Sequence, residues 1–286
     1  MKTPPYRLAP TCHALRTYLT ALLLLTACVV SAQNKDQLVV PLSSPGKPGL
    51  LRVKTVNGSI TVVGYSGKDV LIDASTKARG RDDDDDDKPR ESSGGLRRIA
   101  GKAGFDVTAE ENDNRVTVSS NSWQQPTNLT IRVPQRFSLQ ISTVNDGDIL
   151  VENVTGELEV SNVNGDVTLR QVSGSAVANT VNGAIKATFK SVTGGTPMAF
   201  STVNGDVDVT LPASAKAALK LKSDQGEIYS DFDLVTDKTP AKVNRTTQNG
   251  VYRLNADGWT YGKLSGGGAE IMMKSLMGDI FIRRAK

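Results

Sequence analysis

Residues 144–187 decide the fold, and they read VNDGDILVENVTGELEVSNVNGDVTLRQVSGSAVANTVNGAIKA. Glycine recurs in this stretch every nine residues. Turns of the Val-Asn-Gly type alternate with turns of the Val-Thr-Gly or Val-Ser-Gly type, so the repeating unit is about 18 residues with two strands and two turns. A fixed internal period indicates a repeat architecture, in which stacked units bury one continuous core. The glycines are Gly147, Gly156, Gly165, Gly174 and Gly183.

Apolar residues recur in step with the glycines. Positions two and four after each glycine are apolar, and the positions between them are mostly polar. This period of two predicts half-buried strands of about five residues. Glycine and asparagine suit the turns because both adopt positive φ at low cost. The positions two after each glycine are Ile149, Leu158, Val167, Ala176 and Ile185.

The same turn extends beyond the central block. Looser copies surround Gly226 and Gly278, and a small insertion surrounds Gly194 and Gly195. The predicted repeat-turn residues are Asn57, Gly58, Asn145, Gly147, Asn164, Gly165, Asn182, Gly183, Asn204, Gly205 and Gly278.

The repeat predicts an all-β fold, a β-solenoid or β-roll-like stack of about 18-residue coils. A β-sandwich is the alternative, because Asn-Gly is also a strong hairpin signal. A sandwich has no need of a fixed nine-residue step, whereas a stack places equivalent residues about 4.8 Å apart and demands one. In the stack, Val167 points inward between Ile149 and Ile185, and Thr168 points outward.

Residues 1–32 predict a signal peptide, with a basic start, an apolar run and small residues before Gln33. The run is too short to remain as a membrane anchor, and no later segment is as long, so no transmembrane span is expected in the mature chain. Leu25–Cys28 also resembles a lipobox, which makes Cys28 a candidate for lipidation. The expected location is secreted, periplasmic or at the cell surface, or the outer membrane if Cys28 is acylated.

Removal of the leader leaves the mature chain without cysteine and histidine. Cys12, Cys28 and the single histidine, His13, all lie in it. The mature chain therefore has no disulfide and no thiol or imidazole for zinc binding or nucleophilic catalysis. With three of the 34 Lys and Arg residues in the leader, 31 basic residues face 30 acidic ones, which does not favour nucleic acid as a partner. No catalytic, cofactor-binding or metal site is expected.

The remaining segments are a linker over residues 33–49 and a repetitive β domain over residues 50–286. An acidic insertion at about 78–100 contains the run Asp82–Asp87, and its like charges and polar flanks predict disorder, with weak calcium capture as the alternative. Acidic residues also follow the turn glycines. They are expected to be solvated turn residues, or otherwise to bind a cation. They are Asp148, Asp166, Asp206, Glu227 and Asp279.

Several of these stretches together resemble a known family. The chain runs from Ile131–Pro134 through Leu139–Asn145 into the Val-Asn-Gly-Asp turns, then to Leu211-Pro212, and closes on Gly278–Ile280. This pattern resembles the bacterial putative-adhesin family, a domain of unknown function with a β-solenoid-like repeat fold. The resemblance covers most of residues 50–286 and is strongest over 128–230. It implies no catalytic residues.

The sequence therefore predicts an exported, non-enzymatic, adhesin-like scaffold or binding module of the cell envelope or surface. Its partner would be an envelope protein, a glycan or further copies of itself. One alternative is a component that senses envelope stress. Another is a carbohydrate-active β-helical enzyme, since two carboxyl groups suffice for glycoside cleavage. Aromatic residues make up only 5% of the chain, and the isolated Trp123 and Trp259 are expected in core or cap positions.

Overall fold

The computed structural model describes residues 37–76, 107–120, 126–145, 147–237, 243–248, 251–256 and 258–286. The leader with Cys28, the run Asp82–Asp87, Trp123 and Asp146 lie outside these residues. All the secondary-structure elements within these residues are β-strands. The strands are β1 (Gln37–Val40), β2 (Gly49–Lys54), β3 (Ile60–Tyr65), β4 (Val70–Thr76), β5 (Val107–Asn112), β6 (Arg115–Ser120), β7 (Thr127–Pro134), β8 (Phe137–Ser142), β9 (Ile149–Glu152), β10 (Thr155–Ser161), β11 (Val167–Asn179), β12 (Ile185–Val192), β13 (Met198–Thr202), β14 (Val207–Leu211), β15 (Ala217–Ser223), β16 (Ile228–Ser230), β17 (Val235–Asp237), β18 (Val243–Gln248), β19 (Val251–Ala256), β20 (Thr260–Leu264), β21 (Ala269–Ser275) and β22 (Ile280–Arg284).

The strands of the repeat pair in two parallel series. The first series runs β7-β3-β9-β11-β12-β14-β22-β16. The second runs β6-β2-β8-β10-β11-β13-β21-β15. Each coil gives one strand to each series, and β11 is long enough to serve both. The β-solenoid is therefore confirmed over the sandwich, because strands joined by tight hairpins would pair antiparallel.

The register of the central coils is 18 residues. Val167 pairs with Ile149 on one side and with Ile185 on the other, as the sequence predicts. Its side chain is fully buried, while Thr168 is half-buried on the outer face. Burying one such valine contributes about 1.5–3 kcal/mol, and the interior repeats the contribution at every coil.

The second type of turn lies elsewhere than predicted. β11 continues through Val172-Ser173-Gly174, and the chain bends instead at Gln171, with φ of 56°. Asn153 holds the same left-handed φ of 56° one coil earlier. Gly174 is required for a different reason, since a Cβ there would lie 2.1 Å from the Gly156 carbonyl oxygen. The glycine spacing therefore marks close approach between coils at this corner, and the bend precedes it.

The order of the stack departs from the order of the chain at both ends. The β6–β7 coil lies outside the β2–β3 coil, next to the N-terminal end. The C-terminal coil, β21–β22, lies between the β13–β14 coil and the β15–β16 coil. The copies around Gly226 and Gly278 are therefore genuine coils, in an order that the sequence did not reveal.

Antiparallel strands cover most of the ends. β4 pairs with β7 and β1 with β4, β5 pairs with β6, β20 pairs with β15 and β17 with β20. β1 lies in the segment for which the sequence predicted a linker, and both its last residue, Val40, and the following Leu42 are buried. Its apolar Leu-Val-Val sequence suits a strand, and pairing with β4 satisfies backbone groups that an open edge would leave free.

Candidate binding groove

The predicted turn residues lie together at one corner, where each coil passes from the second series to the first. Glycine is required there because the coils approach closely. A Cβ on Gly165 would lie 2.4 Å from the Gly147 carbonyl oxygen, and one on Gly183 would lie 2.2 Å from that of Gly165. Both residues also have positive φ, at 141° and 157°.

A buried polar side chain lies two residues before the asparagine position of each of these turns. The Thr180 hydroxyl donates to the Gly165 carbonyl at 3.0 Å, and Thr202 donates to the Gly183 carbonyl at 2.8 Å. Ser275 donates in the same way to the carbonyl of Gly205 at 2.8 Å. This row was not predicted from the sequence, although a Thr, Asn or Ser recurring at a fixed step was its signal.

The turn asparagines form a second row, which is more exposed. The Asn182 amide donates to Oδ1 of Asn164 at 2.8 Å, and the Asn204 amide donates to Oδ1 of Asn182 at 2.7 Å. Met277 occupies the next step and has no hydrogen-bond donor in its side chain.

The acidic row has a structural role that the sequence analysis did not foresee. Oδ1 of Asp148 accepts the backbone N–H of Asp166, and Oδ1 of Asp166 accepts that of Ala184, both at 2.8 Å. Asp206 accepts the N–H of Asp279 in the same way. Each carboxylate thus joins one coil to the next. No three metal-ligating side chains cluster among the residues that the structure describes.

A groove of about 580 Å³ lies on the outer face of the second series. Its floor is formed by the parallel strands β8, β10 and β11. Pro48 and Gly49 form one wall, and Thr196 and Pro197 form the other. It is a shallow groove on the face of the sheet and not an enclosed cavity.

Both walls come from places where the regular repeat is interrupted. The step from Gly183 to Gly205 is 22 residues instead of 18, and the additional residues surround Gly194 and end at the Pro197 wall. The other wall follows the loop that joins β1 to β2. Insertions in repeat proteins commonly map to the binding face. The insertion at Gly194 was visible in the sequence, but its position beside the groove was not.

One side of the floor is held by a chain of hydrogen bonds across three coils. The Arg52 guanidinium donates to Oε1 of Gln140 at 3.0 and 2.8 Å. The Gln140 amide donates in turn to Oε2 of Glu159 at 3.2 Å. These bonds fix the position of the Glu159 carboxylate.

The other side of the floor holds two polar side chains that have no such partners. Glu157 lies directly opposite Ser175 in the parallel register. Ser175 is 7% exposed, and its hydroxyl, which makes no hydrogen bond within the described part of the chain, is open to solvent in the groove. The Glu157 carboxylate likewise has no side-chain partner there, while its backbone N–H donates to Oγ of Ser138 at 3.2 Å.

Three aromatic side chains lie near the C-terminal end of the stack, outside the lining of the groove. Tyr229 and Phe281 stack with their ring centroids 5.2 Å apart on the first series. The Tyr229 hydroxyl donates to Oε2 of Glu227 at 3.0 Å, and this bond raises the pKa of Tyr229 above its ordinary value. Trp259 is half-buried, with Lys220 Nζ 4.8 Å from its ring centroid.

The residues that the structure describes include no helix long and apolar enough to cross a membrane.

A family model matches the central part of the chain. Residues 135–258 match the model of the family Toastrack DUF4097, which confirms the resemblance over that segment. A putative cell adhesion protein from Clostridium sporogenes, known from its crystal structure, is similar at 11% identity with a TM-score of 0.34, over 87% of this chain and 99% of that one. No curated protein matches the chain.

Proposed function

We propose, from the Toastrack DUF4097 match and the groove, that this chain is an exported, non-enzymatic, adhesin-like scaffold of the cell envelope or surface. Residues 1–32 direct its export, with release at Gln33 or lipidation of Cys28 as the two outcomes. The partner is a component of the envelope or the surface, and it binds in the groove over β8, β10 and β11.

The observation that carries this proposal is the pair Glu157 and Ser175, which have no side-chain partners on the floor of the groove. The parallel ladder holds their backbones in register, so the site is built on rigid strands. A preorganised site loses little conformational entropy when it binds, which favours recognition.

A glycoside-cleaving enzyme is the second candidate, because Glu157 and Glu159 lie two residues apart on one strand and project from the same face. The groove favours binding over this reaction for two reasons. Glu159 is already held by Gln140, and none of the residues that line the groove is aromatic, although sugar clefts commonly contain aromatic side chains.

The test uses protein that is processed in its own host, purified from that host and immobilised on a surface. Binding of outer-membrane and cell-wall fractions from that host is compared for the wild type, Glu157→Lys and Glu110→Lys. Glu110 is exposed on β5, at the end of the stack and outside the groove, so its variant makes the same charge change elsewhere. We expect Glu157→Lys alone to lose binding.

Equal binding by all three proteins would contradict the proposal. Release of reducing sugar from envelope polysaccharide, abolished by Glu157→Gln, would establish the enzyme instead. The intact mass of the processed protein separates release at Gln33 from lipidation of Cys28, and an uncleaved leader would contradict both.

A further inference from the structure

We infer that copies of this chain associate head to tail, with strand β1 of one copy added to strand β16 of the next. The contact lies at the two ends of the stack and involves none of the residues that line the groove. It is therefore independent of the binding that we propose for the groove.

Each end of the first series leaves one strand edge open. β16 pairs with β22 on one side, and among the residues that the structure describes no strand pairs with its other side. At the opposite end, β4 covers β7 and β1 covers β4, and β1 pairs with no further strand of the described chain. An open edge presents unpaired backbone N–H and C=O groups to which another chain can add a strand.

Each open edge also leaves an inward-facing apolar side chain partly uncovered. Leu38 shares a face of β1 with the buried Val40, yet it is 42% exposed. Ile228 pairs with the fully buried Ile280 but is itself only half-buried. One more strand at either end would cover these side chains, and the burial of apolar surface favours association.

Neither edge strand contains the residues that commonly prevent such association. Natural proteins protect open edges with charged side chains or proline. β1 reads Gln-Leu-Val-Val and β16 reads Ile-Tyr-Ser, so both lack charge and proline. On the outer face, Val39 and Tyr229 are 52% and 47% exposed, and a pair of these strands would bring them onto one surface.

The strand directions identify a second copy as the partner. β1 is antiparallel to β4, and β4 is antiparallel to β7, so β1 runs in the same direction as the strands of the first series. A copy displaced along the stack therefore presents its β1 to β16 in the parallel orientation that already joins β16 to β22. Neither copy has to be reversed, so each further copy can repeat the same contact.

The two ends also have complementary steps. At the N-terminal end, β4 and β1 extend the first series by two strands, and β5 extends the second series by one. At the C-terminal end, β20 and β17 extend the second series by two strands, and the described part of the first series stops at β16. The taller side of one end thus meets the shorter side of the other, to within one strand spacing of about 4.8 Å.

Sedimentation velocity over a series of concentrations tests the inference on protein that is processed in its own host. We expect the mean mass to rise past that of a dimer, because each added copy leaves one edge of each kind open. Leu38→Lys and Ile228→Lys each place a charge in the contact and should raise the dissociation constant at least about tenfold. Val181→Lys, at a corner residue that is 40% exposed, makes the same charge change away from both ends and should associate as the wild type does.

A mixture of the two edge variants tests the polarity of the contact. The Leu38→Lys copy keeps its β16 edge and the Ile228→Lys copy keeps its β1 edge, so the mixture should form dimers that grow no further. Circular dichroism verifies that each variant is folded. If Ile228→Lys is not, Tyr229→Lys replaces it, because Tyr229 is exposed on the same strand.

Three results would overturn the inference. The first is wild-type protein that stays monomeric at every concentration. The second is association that Val181→Lys weakens as much as the edge variants do. The third is loss of association in Leu38→Lys alone, with no effect of substitution in β16, which would indicate that two β1 strands pair with each other.

Discussion

The central coils, from β9 to β14, and the two ends of the stack are built from the same residue types but are ordered differently. In the centre, each coil stacks on the one that precedes it in the chain. At the C-terminal end, the last coil of the chain lies between two earlier ones. The comparison teaches that the repeat determines which side chains point inward without determining which coils become neighbours.

The reason lies in the corner that joins the coils. Ser275 donates to the carbonyl of Gly205, and Ser223 donates to that of Gly278, both at 2.8 Å. These bonds have the geometry of the bond from Thr180 to Gly165 in the centre. Because these coils share the hydroxyl donor and the glycine carbonyl acceptor, this bond does not determine which coils become neighbours.

The largest expected effect contrasts the interior with the outer face in the centre. Val167→Asp places an unpaired carboxylate in an apolar interior and should lower the free energy of unfolding by at least about 4 kcal/mol. Thr168→Asp, on the outer face, should change it by less than about 0.5 kcal/mol. Urea denaturation measures both, and two equally harmless substitutions would show that the register is wrong.

Hydrogen exchange on the Val167→Asp protein sharpens the same contrast. Each coil contacts only its neighbours, so the central coils should lose protection first. The N-terminal strands around Val53–Val62 should remain protected. Loss of protection in every strand together would show that the coils unfold as one cooperative unit.

The next effect tests the inserted C-terminal coil. A Cβ on Gly278 would lie 2.1 Å from the Gly205 carbonyl oxygen, so Gly278→Ala should cost about 2–3 kcal/mol. Gly194→Ala is the matched control, because nothing lies within 4 Å of a Cβ there. Thermal unfolding compares them, and equal melting temperatures would contradict the position of the last coil.

A smaller effect tests whether the hydrogen bonds of the corner contribute equally to the free energy of unfolding in the centre and at the C-terminal end of the stack. Thr180→Val and Ser275→Ala each remove one buried donor and leave a glycine carbonyl without it. Each should cost about 1 kcal/mol in urea denaturation. A much smaller cost for Ser275→Ala would mean that the end is less firmly joined than the centre.

The smallest effect concerns the N-terminal cap. Hydrogen bonds from the Ser43 backbone N–H and hydroxyl lower the pKa of Glu111 from its ordinary value of 4.5. A depressed pKa means that the ionised carboxylate stabilises the cap above pH 4.5, and that this stabilisation is lost as the pH falls further through the folded-state pKa. As the pH falls, the Ser43 amide should lose more of its protection from hydrogen exchange than the amides of the central coils lose. In the Glu111→Gln variant this additional loss of protection should disappear. If it persists, ionisation of the Glu111 carboxylate is not its cause.

The inward and outward residues of the repeat were predictable from sequence because alternation and glycine spacing depend on local geometry alone. Val167 and Thr168 are the clearest case. The order of the Gly226 and Gly278 coils was not predictable, since their turns offer the same chemistry to any neighbour. Strand β1 was missed because its pairing with β4 depends on an edge that exists only after the stack has formed.

The candidate site was less predictable than the fold. The insertion at Gly194 was visible as a step of 22 residues. Ser175, however, reads in the sequence as an ordinary outward serine, and its low exposure is visible only in the folded stack. Whether Glu157 or Glu159 is free depends on Gln140, 19 residues before Glu159 and beside it only in the stack.

The side-chain hydrogen bonds of the corner have one further consequence, which concerns their direction. From Gly147 onward, the donor lies on the coil nearer the β15–β16 end and the acceptor lies on the coil before it. The amide dipoles of Asn164, Asn182 and Asn204 are therefore aligned, and aligned dipoles polarise one another. Loss of Asn182 from the middle of the row would weaken the bonds of two neighbours, whereas loss of Asn204 from its end would weaken only one.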